Sequence, residues 1–283
     1  MTSITQDHTL HGVDASPRRA GAFLADAVRR FRGSDGTSHT RALAYQVLLV
    51  VLSGFIGLVG LASMLALPEV RRLVQHLSVS VSPGPSGSLL TEAAQQGASG
   101  GAVAAFVGLA TAWIAGTFAM AQVERSANRI AGLDRDRPTA RRYVVAALVA
   151  VPVGALLTLG GLAIGAGGAV VSGLGLEETA RVVWEVARWP VGLALAGAGL
   201  LLLLRVSPAM PLGSTRHVLA GAGVSLVLWA SFTALLSLYF ALSSSSSRTY
   251  GPLLAVVALI LWAGLTSLAL HLGISTTVEL ERS

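Results

Sequence analysis

Cysteine is absent from the 283 residues, which excludes disulfides, thiolate nucleophiles and cysteine-based metal sites. Lysine is absent as well, since all 20 basic residues are arginine; this is a compositional bias that carries no mechanism of its own. Charge of either sign is scarce. Only 12% of residues are charged against 53% hydrophobic, and the mean hydropathy is +0.68. A soluble domain of this length needs a polar surface that such a composition cannot supply, so the chain reads as a membrane protein. Residues 1–44 hold Asp7, Asp14, Asp26 and Asp35 and lack an apolar core with a small-residue cleavage site, so no cleavable signal peptide is expected. The net charge of +6 fits arginines retained in cytoplasmic loops better than nucleic-acid binding, and no nucleic-acid partner is expected.

What is present is a succession of long charge-free runs, and an all-α polytopic fold with six transmembrane helices and short amphipathic interfacial helices follows from them. Residues 1–16 read as a disordered cytoplasmic tail. Over 17–33, Ala20, Phe23, Leu24, Ala27, Val28 and Phe31 recur at helical spacing, with Arg18, Arg19, Asp26, Arg29 and Arg30 on the other side. This predicts an amphipathic cytoplasmic helix, lying either on the inner leaflet or against the protein's own loops. The transmembrane domain occupies 42–273, with spans near 45–67, 103–122, 143–164, 189–204, 218–242 and 251–273, each close to the length that crosses a bilayer. Pro152 is expected to kink the third span, and Gly161 with Gly165 forms a small-residue pair suited to close packing. Residues 68–81 and Glu177–Arg188 read as outer interfacial segments, the latter with Trp184 and Trp189 at headgroup level. Residues 274–283 read as a cytoplasmic tail.

Orientation follows from arginine. Residues 1–44, 124–142, 205–217 and 274–283 hold 15 arginines, and the segments between the other span ends hold five. Both termini are therefore expected on the cytoplasmic side of the membrane.

The chemistry is mostly exclusion. None of the six span cores contains Asp, Glu, Lys or Arg, whereas ion-coupled transporters place such groups near the midplane. His271 is the one histidine within a span and, with Thr266 and Ser237, is a candidate polar intramembrane group. A histidine at a helix end also serves simply as a hydrogen-bonding group. His8, His11, His39, His76 and His217 are scattered without metal-ligand spacing, so no metal or other cofactor is expected. Gly97-Ala98-Ser99-Gly100-Gly101 matches the letters of GxSxG but has no preceding strand, so no nucleophile elbow is expected. No catalytic residue emerges, and the chain is expected not to be an enzyme.

The remaining candidate is the segment Glu124–Arg142. Arg125, Arg129, Arg137, Arg141 and Arg142 are candidate contacts for anionic lipid phosphates, because guanidinium groups engage phosphate bidentately. The same arginines can act as a topology signal alone, partly neutralised by Glu124, Asp134 and Asp136.

Several stretches resemble the YihY/BrkB family of bacterial inner-membrane proteins, once mislabelled as ribonuclease BN. They are RALAYQVLL at Arg41–Leu49, AMAQVERSANRI ending at Ile130, RPTARR at Arg137–Arg142, VLWASFTALLSLYF at Val227–Phe240, TYGPLLAVVALILW at Thr249–Trp262 and ELER at Glu279–Arg282. The chain departs from the family where Gln46 follows Tyr45, where Ser53-Gly54 replaces a proline, and where Gly273-Ile274-Ser275-Thr276-Thr277 replaces an acidic ending. The resemblance implies an envelope protein, linked in various members to envelope integrity, serum resistance or lipid transport. The leading expectation is movement or organisation of a lipid-like, amphipathic molecule, with membrane lipids and envelope proteins as partners. The rival expectations are a non-transporting envelope-integrity scaffold and, on the old family label alone, a ribonuclease.

Overall fold

The computed structural model describes residues 17–65, 86–133, 136–165, 178–206, 208, 214–242 and 247–282. These residues form seven helices: α1 (Pro17–Gly33), α2 (Gly36–Met64), α3 (Ser86–Ala131), α4 (Thr139–Gly165), α5 (Glu178–Val206), α6 (Thr215–Leu242) and α7 (Ser247–Arg282). Six of them, α2 to α7, are long and apolar enough to cross a membrane, so the chain is a multi-pass membrane protein. The expected interfacial helix at 68–81, the tail 1–16, and Asp134 lie outside the described residues.

Several elements run further than their apolar cores. The second span, expected over 103–122, lies in a helix that continues past Glu124 to Ala131 and stops at Gly132, whose φ of 73° gives the left-handed turn that ends helices. The same helix begins before the span and bends at Gly101 (φ 49°, ψ −125°), a conformation open to glycine alone. The segment Glu177–Arg188 was expected as a separate surface element, but its described part, from Glu178 on, merges with the fourth span into α5, continuous through Pro190. The tail expected at 274–283 is helical to Arg282. At a rise of about 1.5 Å per residue α7 is about 54 Å long, well beyond a hydrocarbon layer of about 30 Å.

Helices α2 and α3 meet backbone to backbone. A Cβ added at Gly57 would stand 2.6 Å from the Leu109 nitrogen, and one at Gly108 would stand 2.6 Å from the Gly57 Cα. Gly160 and Gly192 pair α4 with α5 in the same way, a Cβ on either falling 2.8 Å from the other's carbonyl oxygen. Without a hydrophobic drive between helices in lipid, such close approach supplies the dispersion contacts that hold helices together.

The core is uneven along the membrane normal. At the end where α1, the 131–139 connection and the C-terminus of α7 lie, all six spanning helices share one cluster: Leu43, Val123, Ile130, Val153, Leu204, Val218 and Ile274 are among its buried members. Toward the opposite end the described core divides. One cluster joins Leu236 and Phe240 of α6 to Leu259 and Trp262 of α7 with Leu48, Val51 and Leu52 of α2, and another joins Val59 to Ala94. Neither takes a residue from α4 or α5.

Candidate functional site

The arginine-rich end is built mainly from the continuation of α3 and α7 beyond their apolar stretches. On α3, Gln122, Glu124, Ser126 and Asn128 are all buried. They stay helical because no breaker intervenes before Gly132, and they can be buried because partners reach them from other elements. Glu124, 2% exposed, receives the Arg137 Nη1 at 3.1 Å. The Arg137 Nη2 then donates to the carbonyls of Val206 at 3.1 Å and Pro208 at 2.7 Å. One guanidinium thus ties α3, the α3–α4 connection and the end of α5 together. Asp136 accepts from the Asn128 Nδ2 at 2.8 Å and faces the Arg142 Nη1 at 3.5 Å.

The five candidate arginines consequently divide. Arg137 and Arg142 are engaged with acids of their own segment, Glu124 and Asp136. Arg125 is half-buried, its Nε without a partner among the described residues. Arg129 and Arg141 are exposed at this end, and these two present free guanidinium surface.

Helix α1 docks on the same end rather than standing apart. Ala27 and Phe31 are buried, and Arg30 donates to the Glu279 Oε2 through Nε at 2.8 Å and Nη2 at 2.7 Å. Of the two placements open to this helix, contact with the protein's own elements is the one observed. Two further links close the end: Glu281 meets the His217 Nδ1 at 2.6 Å, and the Arg282 Nη2 donates to the Ala131 carbonyl at 2.9 Å.

His271, Thr266 and Ser237 are not brought to one place. Ser237 is exposed on α6, in the half of that helix remote from the arginines. His271 is fully buried, with Nδ1 2.8 Å from the Ser267 carbonyl and 3.4 Å from the Thr40 Oγ1. Thr266, half-buried, lies just before Ser267 on the same helix. Nearby, the His39 Nδ1 pairs with the Gln122 Nε2 at 2.9 Å. Gln122 and Ser275 are buried polar groups that the sequence did not single out. Their one legible signal was the uninterrupted helical run in which they sit.

Among the described residues no cluster of three or more His, Asp or Glu side chains is placed to hold a metal ion. Ser99, the letter match to a nucleophile, lies within α3 and donates to the Gln96 carbonyl at 3.1 Å. At the far end Arg188 lies 5.8 Å over the Trp189 ring and 2.8 Å from the Glu185 carboxylate.

Among known proteins, the chain is similar to the putative ribonuclease-like protein YfkH of Bacillus subtilis (strain 168), with 24% identity over 262 residues, covering 89% of this chain and 92% of that one. No solved structure matches. The model of the family described as Virulence factor BrkB matches residues 27–283, which takes in α2 to α7 and the docked part of α1. With the match running over nearly all of the helical domain, the chain belongs to the Virulence factor BrkB family.

Proposed function

We propose that this protein is a non-enzymatic component of the bacterial inner membrane, with both termini cytoplasmic, that moves or organises an amphipathic, lipid-like molecule of the envelope. The observation that carries this reading is the uneven core. All six spans join at the arginine-rich end, whereas neither of the described clusters toward the other end includes α4 or α5. That division would let acyl chains enter between the α4–α5 pair and the α2–α3–α6–α7 group. The exposed side chains in that half of these helices include apolar ones: Leu157 and Leu159 of α4, Leu235 and Leu238 of α6, and Val256 and Ile260 of α7. An uncharged tail is suited to such surfaces because no ionisable group has to be desolvated in the lipid layer.

At the closed end, the exposed Arg129 and Arg141 would engage lipid phosphates through charge-assisted hydrogen bonds. Access from that side would require the links Arg137–Glu124, Arg30–Glu279 and His217–Glu281 to part. Other envelope proteins remain natural partners for the same surface. The test is reconstitution in liposomes carrying a fluorescent anionic lipid. The protein is expected to accelerate transfer of the label between leaflets, and Arg129→Ala with Arg141→Ala to slow it several-fold. A rate equal to that of empty liposomes overturns the proposal and favours the scaffold reading.

A further inference from the structure

The interior of the arginine-rich end holds polar atoms that the protein itself does not satisfy. Ser267, His271 and Ser275 stand at one-turn intervals on a single face of α7, and all three are buried to within 1%. The Ser267 Oγ, the His271 Nε2 and the Ser275 Oγ find no hydrogen-bond partner among the described residues. The neighbouring Thr266 Oγ1 is likewise without a partner among the described residues, but three other buried hydroxyls in the same region are satisfied. Ser225 donates to the Gly221 carbonyl, Thr276 to Leu272 and Thr277 to Gly273, each back to its own helix one turn earlier. That default is open to any helical serine or threonine, yet Ser267 and Ser275 do not take it.

The histidine tautomer sharpens the point. The Ser267 carbonyl, 2.8 Å from Nδ1, can only accept. The Thr40 hydroxyl donates its proton to the Gly36 carbonyl at 2.8 Å, so toward Nδ1 it too can only accept. Both contacts therefore place the ring proton on Nδ1, and the buried Nε2 presents a bare lone pair. A lone pair flanked by two idle hydroxyls one turn away on either side calls for small donors and acceptors between them. Residues four apart rise about 6 Å along the helix, the scale of two successive hydrogen bonds of about 2.8 Å each, so a water is the right size of bridge between consecutive members of the stripe.

We propose that Ser267, His271 and Ser275 line an internal file of water molecules, with the His271 Nε2 as its central acceptor. The eight residue steps from Ser275 to Ser267 carry the file over about 12 Å of α7 at about 1.5 Å per step. Its mouth lies beside His39, Thr40 and Arg125, which are only half-buried at the arginine-rich end. Phe31 of the docked α1, its ring 6.4 Å from that of His271, borders the file. The alternative occupant, a metal ion, lacks the ligands, because no carboxylate or third imidazole joins the group among the described residues. This inference does not depend on lipid movement, and it survives a negative liposome assay.

The experiment uses the full chain, labelled with ¹⁵N-histidine and reconstituted in lipid, and reads magnetisation transfer from water to the imidazoles by solid-state NMR. His271 is expected to show a protonated Nδ1, an unprotonated Nε2, and transfer from water at a rate comparable to that of the half-exposed His217. A ring that receives no water magnetisation, or one protonated on Nε2, overturns the proposal. A second readout has opposite signs in the two cases. In a dry interior, Ser267→Ala and Ser275→Ala remove unsatisfied hydroxyls and leave the melting temperature unchanged or raised. In a hydrated file each removes a water ligand and lowers it, and transfer to His271 falls at least about twofold.

Discussion

Arg137→Ala should be the most destabilising of the arginine substitutions, although Arg137 is not more charged or more conspicuous in sequence than its neighbours. The change strands the Glu124 carboxylate, 2% exposed, without its cation, and frees the Val206 and Pro208 carbonyls from a charged donor. Removing one partner of a buried ion pair costs about 3–5 kcal/mol, because the remaining charge keeps its desolvation penalty. For a chain of this size class, about 2–4 °C is lost per kcal/mol, so the melting temperature should fall by about 6–20 °C. Arg142→Ala breaks a pair whose Asp136 is 38% exposed, a class worth about 0–1 kcal/mol. The shift there should stay below about 4 °C, and Arg129→Ala, at an exposed site, should fall within about 0.5 kcal/mol of the parent. The assay is thermal unfolding of the purified protein in one detergent, followed by the soluble monodisperse fraction. Pairing Glu124→Leu with Arg137→Met should recover part of the loss, since apolar groups of similar volume need no partner. Equal melting temperatures for Arg137→Ala and Arg129→Ala, or a double variant no better than Arg137→Ala, would refute the buried-bridge reasoning.

Three further outcomes are expected. Gly108→Ala forces a methyl group to within 2.6 Å of the Gly57 Cα and should cost about 1–3 kcal/mol, whereas Gly54→Ala, whose nearest neighbour is the Ala112 Cβ at 4.0 Å, should be near neutral in the same melts. Gly101→Ala meets no atom within 4 Å, yet its φ of 49° and ψ of −125° should cost about 1–3 kcal/mol in backbone strain, while Gly264→Ala, equally uncrowded and without a positive φ, should be neutral or stabilising. Because cysteine is absent, single-cysteine labelling needs no background removal. A membrane-impermeant maleimide should modify Ser88→Cys in intact cells and Gly132→Cys only after permeabilisation, and the reverse pattern would invert the proposed orientation.

The spans were legible because an uncharged run of about 20 residues has no other cheap environment. The extensions were not, and the reasons are local. Glu124 and Asn128 read as loop residues since a carboxylate or amide is costly to bury. Their burial depends on Arg137 and Asp136, which lie beyond a turn. Gly132 was nevertheless a readable stop signal for α3. Gly273 misled in the opposite sense, as a glycine at the end of an apolar run suggests termination. Here it removes a side chain where α7 crosses α6, since a Cβ would collide with the Gly221 carbonyl and the Ser225 hydroxyl. The division of the arginines into engaged and exposed members was equally hidden, because a charge count cannot tell which guanidinium a distant carbonyl has claimed. The apolar span cores hold no acid, as their sequence states, but composition gave no sign that Ser267 and Ser275 leave their own helix unbonded.

The placement of α7 bears on how the protein is made. This helix follows the other five spans out of the ribosome, yet its segment Ile274–Val278 is wholly enclosed, and Glu279, Glu281 and Arg282 bind α1, α6 and α3 in turn. Until it is inserted, the earlier spans can wait in the bilayer with their apolar faces covered by lipid, but α1 has no acid to grip and the buried end of α3 has nothing to cover it. Premature termination upstream of α7 should therefore leave a threaded but unassembled chain, a natural substrate for membrane proteases.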